Sequence, residues 1–251
     1  MTDLSDAHTA CPSLKGRRAL ITGGTTGIGR AIAVLLASEG VDVFICGRTP
    51  EHLADALARI GEVGTGDGIS LDLADPDGVD RVFKAAQGYF GAPDIVIANA
   101  AVPAGALAES EASHLRYRIA VDFTAYLLTA HKAVGVMEGG SDLVFIGSMS
   151  AVSRNPGGSI YVAAKAGIEA FAQVLRKEVA GRDIKVGLVE PGFTGADFHY
   201  PELPADEQAA LIAENRMLRG QDIAVAVRTM LTQPRRAALS LIRVEPLLER
   251  E

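Results

Sequence analysis

From Arg18 onward, short apolar runs alternate with stretches of helical periodicity, and no other feature constrains the fold of this chain as strongly. Residues 19–22 read as a strand, 28–38 as a helix closed by Gly40, 41–46 as a strand and 50–60 as a helix. Residues 68–71 are strand-like, Asp75 opens a helix running towards Tyr89, and 94–98 form a buried strand. Residues 109–137 read as one long helix, 143–147 as a strand, 159–180 as a helix and 184–189 as a strand. Nearly every strand is followed by a helix. That order predicts an α/β fold whose mostly parallel sheet is covered on both faces, the doubly wound architecture.

After Pro191 the pattern loosens. A proline-bearing loop at 199–204 leads into helical stretches at 205–218 and 222–231, and 238–244 reads as a closing strand. No internal repeat or low-complexity linker interrupts the chain. The expected organisation is an extension over 1–14, then a single domain over 15–251, with a substrate lid around 194–218.

At 251 residues, 48% of them hydrophobic and 22% charged, the chain can fill one large core. Its formal net charge is −7, with the two signs interspersed, which disfavours nucleic acid and anionic membranes as partners. Cys11 and Cys46 lie far apart, no CxxC is present and His199 has no second ligand at metal spacing, so neither disulfides nor a metal site are expected. The first dozen residues carry acids and lack an apolar core, and no run reaches membrane-spanning length. A cytoplasmic location is expected.

Gly23, Gly27 and Gly29 follow a strand and open a helix, with Thr25, Thr26 and Ile28 between them. Glycines there let the backbone turn tightly and approach a pyrophosphate, while the helix N-terminus offers unpaired N–H groups to it. At the end of the second strand an acid would bind an adenosine ribose 2′-hydroxyl. Here Gly47 and Arg48 follow Cys46, so a guanidinium is available to a 2′-phosphate, with the Thr49 hydroxyl beside it. NADP(H) is therefore expected over NAD(H).

Tyr161 and Lys165 stand at i and i+4 and share one helix face. A free phenol has a pKa of about 10. A nearby ammonium favours the phenolate and makes tyrosine a usable general acid or base for a carbonyl or alcohol oxygen. Ser148, at the end of the strand at 143–147, can hydrogen-bond the same oxygen.

The ordered motifs resemble the short-chain dehydrogenase/reductase family, over about residues 15–244. Residues 22–29 fit its TGxxxGxG, and Ser148, Tyr161 and Lys165 fit its catalytic serine and YxxxK, with the thirteen-residue gap from Ser148 to Tyr161. The resemblance implies a Rossmann fold and hydride transfer between a nicotinamide and a carbonyl carbon. Tyr161 is then the general acid/base, Ser148 the oxygen stabiliser, and Lys165 the group that holds the nicotinamide ribose and favours the phenolate. It further implies that Asp72 and Leu73 contact adenine and that Pro191 and Gly192 form the turn beside the nicotinamide.

The departures from the family pattern are specific. Its NNAG appears as Ala98, Asn99, Ala100 and Ala101, and its catalytic asparagine falls on Asp122. The resemblance places a relay to the lysine at that position, and an aspartate there adds a negative charge near Lys165, so altered pH dependence is expected. The usual threonine after the Pro-Gly turn is Ala196, and Thr194 is expected to make the carboxamide contact instead. Ser150, Phe193, Phe198 and Tyr200 are candidates for contact with substrate, a small-molecule carbonyl or alcohol. In the resembled family the two long helices build the subunit contact, which implies a homodimer or homotetramer.

A ketoreductase is the leading function. The alternative from another class is a dinucleotide sensor that kept the fold and lost the chemistry. A sugar-nucleotide epimerase is disfavoured, because only about sixty residues follow Pro191.

Overall fold

The computed structural model describes residues 10–103, 105–195 and 203–248. Seven strands form one sheet in the order β3-β2-β1-β4-β5-β6-β7, and every neighbouring pair is parallel. They are β1 (Arg18–Thr22), β2 (Asp42–Gly47), β3 (Gly66–Ser70), β4 (Ile95–Ala98), β5 (Asp142–Ile146), β6 (Lys185–Pro191) and β7 (Leu241–Val244). The helices between them are α1 (Gly27–Ser38), α2 (Pro50–Gly61), α3 (Gly78–Phe90), α4 (Ala112–Ile119) and α5 (Ala125–Val136). The remaining helices are α6 (Ser150–Ser153), α7 (Ser159–Val179), α8 (Ala205–Ala213) and α9 (Gly220–Leu231).

Parallel strands need crossovers, so both faces of the sheet are buried and the interior positions of the central strands are largely apolar. Successive side chains then feed two different cores. Leu20, Phe44, Val96, Leu143 and Phe145 pack with Val82 and Phe83 of α3, Ala130 of α5 and Ile168 and Ala172 of α7. Ile21, Ile45, Ile97, Val144 and Ile146 pack with Ile32 and Leu36 of α1, Ile60 of α2 and Ile223 and Val227 of α9. Below the sheet, the buried Asp142 carboxylate draws together Arg17 at 2.8 Å, Arg235 at 3.2 Å and Lys185 at 3.5 Å. These ion pairs tie the starts of β1, β5 and β6 to the segment after α9.

The structure departs most from the expected elements in four places. The long helix is not uniform: between α4 and α5, residues Ala120–Thr124 form a π-turn that carries Asp122. The helix expected from Asp75 begins at Gly78, because Gly78 N first closes a turn on the Asp75 carbonyl at 2.9 Å. The helix expected to reach 218 ends at Ala213. Leu218 instead joins the segment after β6, where its N–H bonds Phe193 O at 2.8 Å and its carbonyl accepts from Gly195 N at 2.8 Å. The closing strand starts at Leu241, where pairing with Leu188 begins, rather than at 238.

Candidate functional site

In a parallel sheet the strands' carboxyl ends lie on one edge, and ligands bind where the strand order reverses, here between β1 and β4. The glycine turn follows β1, Arg48 follows β2, Asp72 follows β3, Asn99 follows β4 and Ser148 follows β5, while Pro191 ends β6. The topology thus brings residues from six separate stretches of sequence to one edge.

The glycine turn is closely fitted. Gly23 and Gly27 have φ of 64° and 53°, the left-handed region. A Cβ on Gly29 would lie 2.1 Å from the Gly23 carbonyl oxygen. Asn99 braces the turn: its side-chain amide donates to Thr22 O at 3.0 Å and Gly23 O at 3.1 Å, and its N–H donates to Thr22 Oγ1 at 2.9 Å. The asparagine retained from the family motif therefore acts on the shape of the turn. Thr26, the N-cap of α1, is extended and makes no side-chain cap, and no acid stands in the first helical turn. Those first N–H groups are suited to an anion.

Beyond the ends of β2 and β3, Arg48 Nη1 donates to the Tyr117 hydroxyl at 2.6 Å, and Tyr117 donates to Asp72 Oδ2 at 2.7 Å. The Arg48 guanidinium also lies 5.8 Å from the Tyr117 ring centroid. Burial, reinforced by the bond to Asp72, pushes the Tyr117 phenol above its usual range. Leu73 is buried, and Thr49 is the N-cap of α2. Tyr117 is absent from the sequence-based site. Its one signal was a lone aromatic between Arg116 and Arg118, too common on a helix to single out. Arg118 is half-buried and donates to Ser110 Oγ at 2.7 Å.

At the other end, Ser148 Oγ accepts from Ser150 N at 3.1 Å, which leaves its own proton directed elsewhere. Lys165 is 1% exposed, and its Nζ donates to Tyr126 Oη at 2.9 Å and to Ile146 O at 3.0 Å. The same nitrogen sits 5.5 Å from the Tyr161 ring centroid. Burial lowers the Lys165 ammonium to about 8, opposed by the charge of Asp122. Asp122 Oδ1 accepts from Val102 N at 2.8 Å, while among the described residues Oδ2 has no hydrogen-bond partner. Burial pushes this carboxyl up to about 6, opposed first by Lys165. Beside the sheet edge, Gly192 N donates to Val244 O at 2.7 Å and the Thr194 hydroxyl donates to Gly192 O at 3.0 Å. Phe193 is half-buried, whereas Phe198 and Tyr200, together with Ala196, lie outside the described residues.

A carboxyl whose folded pKa is raised stabilises the fold fully below its unfolded pKa, and that contribution is lost as pH rises through the folded value. Asp122 goes from 3.8 unfolded to about 6 folded, so most of the loss falls between those two values, in the acidic range. Between about pH 5 and about pH 7.5 the wild type should lose about 1 kcal/mol more stability than Asp122→Asn does. Urea unfolding at both pH values measures it, and equal losses would contradict it.

A family model for short chain dehydrogenase matches residues 17–206. An uncharacterized oxidoreductase of Staphylococcus aureus strain USA300 is 31% identical over 236 residues, covering 93% of this chain and 98% of its own length. The 3-oxoacyl-(acyl-carrier-protein) reductase of Haemophilus influenzae is 34% identical over 223 residues, covering 85% and 90%. A crystal structure of a short chain dehydrogenase from Burkholderia cenocepacia J2315 in complex with NADP matches with a TM-score of 0.82 at 28% identity, covering 94% and 98%. The parallel sheet, the glycine turn at its switch point and these matches lead to one conclusion: the chain belongs to the short-chain dehydrogenase family of oxidoreductases.

Proposed function

We propose that the protein is an NADP(H)-dependent carbonyl reductase, converting a ketone to a secondary alcohol, or the reverse. The observation that carries this reading is the buried Lys165 ammonium, fixed on Ile146 O and 5.5 Å from the Tyr161 ring, at the same sheet edge as the glycine turn. The turn fits a dinucleotide, since Gly29 packs too closely on the Gly23 carbonyl to carry a Cβ and the α1 N-terminus lacks a competing acid.

When bound, the nicotinamide cofactor supplies or accepts the hydride. Gly23, Thr25, Thr26, Gly27, Ile28 and Gly29 would hold its pyrophosphate, Arg48 and Thr49 its 2′-phosphate, and Asp72 and Leu73 its adenine. Asn99 and Ala100 would flank the cofactor, with Pro191 and Gly192 lining its nicotinamide end. Thr194 Oγ1, already donating to Gly192 O, keeps lone pairs for a carboxamide N–H. Tyr161 holds the proton that goes to the carbonyl oxygen. Ser148, its Oγ oriented by the Ser150 N–H, donates to that same oxygen and stabilises the charge that develops there. The Lys165 ammonium favours the phenolate that Tyr161 leaves behind. Ser150 and Phe193 would border the substrate, with Phe198 and Tyr200. The relatives support the class, one being a 3-oxoacyl reductase and another having been crystallised with NADP. Leu128 of α5 and Val174 of α7 are exposed, and these long helices would form a homodimer or homotetramer contact.

Fluorescence titration with NADPH and NADH tests the cofactor. Wild type should prefer NADPH, and Arg48→Ala should weaken NADPH binding by about 10- to 100-fold while leaving NADH binding unchanged, the effect of removing a charge-assisted bond to phosphate. Equal binding of both cofactors by the wild type would overturn the assignment.

A further inference from the structure

The ammonium of Lys165 is held by a residue to which neither the sequence motifs nor the proposed chemistry gives a role. Tyr126 lies one helical turn after Asp122, 2% exposed, with its ring stacked on Phe145 at 6.4 Å and 21°. Its hydroxyl accepts from Lys165 Nζ at 2.9 Å and donates to Ile146 O at 3.2 Å, while Lys165 donates to that same carbonyl at 3.0 Å. Three groups from α5, α7 and the end of β5 therefore close a triangle with no bulk solvent in it. The Lys165 nitrogen also sits 4.5 Å from the Tyr126 ring centroid, nearer than the 5.5 Å to Tyr161.

A buried ammonium is stable only if its protons find acceptors or negative charge. The titratable groups around it are Tyr161 on its own helix and, across from it, Tyr126 and Asp122, the last of which also feels the charge of Arg118. Asp122 supplies charge without a hydrogen bond to Lys165, so the two bonds in the structure come from a peptide carbonyl and a phenol. A peptide carbonyl is present whatever the side chains are. The phenol depends on the side chain at 126, and the stacked ring gives its oxygen one position.

We propose that Tyr126 is a positioning residue: by accepting a hydrogen bond from Lys165 while donating to the Ile146 carbonyl, it keeps the ammonium charged and fixed beneath Tyr161. This rests on the reading of Tyr161 as the proton donor. Without the Tyr126 oxygen the charged form of Lys165 loses an acceptor, and Tyr161 loses part of the positive charge that favours its phenolate. The pH at which the phenolate forms should then rise.

The test is Tyr126→Phe, which keeps the stacked ring, followed by 3-fluorotyrosine at 126, which keeps the hydroxyl but weakens it as an acceptor. Two readouts are compared: the acidic limb of the pH profile for alcohol oxidation, and phenolate absorbance of the cofactor-free protein, with Tyr161 assigned by difference against Tyr161→Phe. Both should move up by about 1 pH unit in Tyr126→Phe, the size expected for one hydrogen bond to a charged group, and by less with fluorotyrosine. A lower Tm with wild-type limbs in both readouts would mean that the hydroxyl only packs, and would overturn the proposal. If Tyr126→Phe does not fold, the fluorotyrosine protein decides by the same limbs. Failure of the Tyr161 reading is seen separately, as full turnover in Tyr161→Phe, and the absorbance titration then still decides the role of Tyr126.

Discussion

Tyr161→Phe is expected to lower turnover by about 10²- to 10⁴-fold, the contribution of a positioned general acid, while NADPH binding changes by less than about threefold. The substitution removes one oxygen and leaves the ring that lies 5.5 Å from Lys165 Nζ, so the packing around the ammonium is retained. Ser148 remains, its oxygen still bonded by Ser150 N, and can still stabilise negative charge on the substrate oxygen. What is lost is the proton itself. Lys165 is a poor direct replacement, because its nitrogen is buried and two of its three protons are held by Tyr126 and Ile146. Single-turnover measurements with a panel of ketones, beside a cofactor titration, separate the two quantities. Retained turnover would show that another group donates the proton. A wild type that binds the cofactor but turns over no ketone or alcohol would favour the dinucleotide sensor.

Gly29→Ala should have the second largest effect. Its Cβ would stand 2.1 Å from the Gly23 carbonyl oxygen and 2.5 Å from the Asn99 side-chain nitrogen, so both the backbone of the turn and its brace obstruct it. The turn has to open and α1 has to shift, although Ile32, Ala33, Leu36 and Ala37 anchor that helix in the core. A stability loss of about 1–3 kcal/mol, typical of overpacking, is expected by thermal unfolding. Cofactor affinity should fall by at least about 100-fold, because a shift of about 1 Å misaligns several N–H groups at once. Gly61→Ala is the control. No atom lies within 4 Å of a Cβ there, and the position ends a helix, so stability should hold or rise by up to about 1 kcal/mol. Equal behaviour of the two variants would show that Gly29 is not sterically required.

The local signals were readable because each has a short-range cause. Strand runs are apolar because both sheet faces are covered, so Ile21, Ile45 and Ile97 stand out in any reading of the sequence. The glycines answer to a turn with left-handed backbone at 23 and 27 and no room for a Cβ at 23 and 29, and Tyr161 and Lys165 answer to the pitch of one helix. Boundaries were less legible where a distant segment decided them. Residues 214–218 carry a helical pattern, yet backbone bonds from Leu218 to Phe193 and Gly195 take them out of the helix.

The element order and the glycine turn are therefore legible in the sequence itself, through periodicity and backbone sterics, whereas Ser148, Tyr161 and Lys165 stand out through the resemblance of their order and spacing to the family pattern. The tertiary structure alone decided that Arg48 meets Tyr117 across 69 positions and that Lys165 meets Tyr126 across 39. It alone decided that Asp122 turns inward on a π-turn. The reason is physical: neither tyrosine differs locally from an ordinary helix residue. Each hydroxyl finds its partner only when packing brings the long helix onto the sheet edge, and there a buried charge needs whatever acceptor the fold delivers.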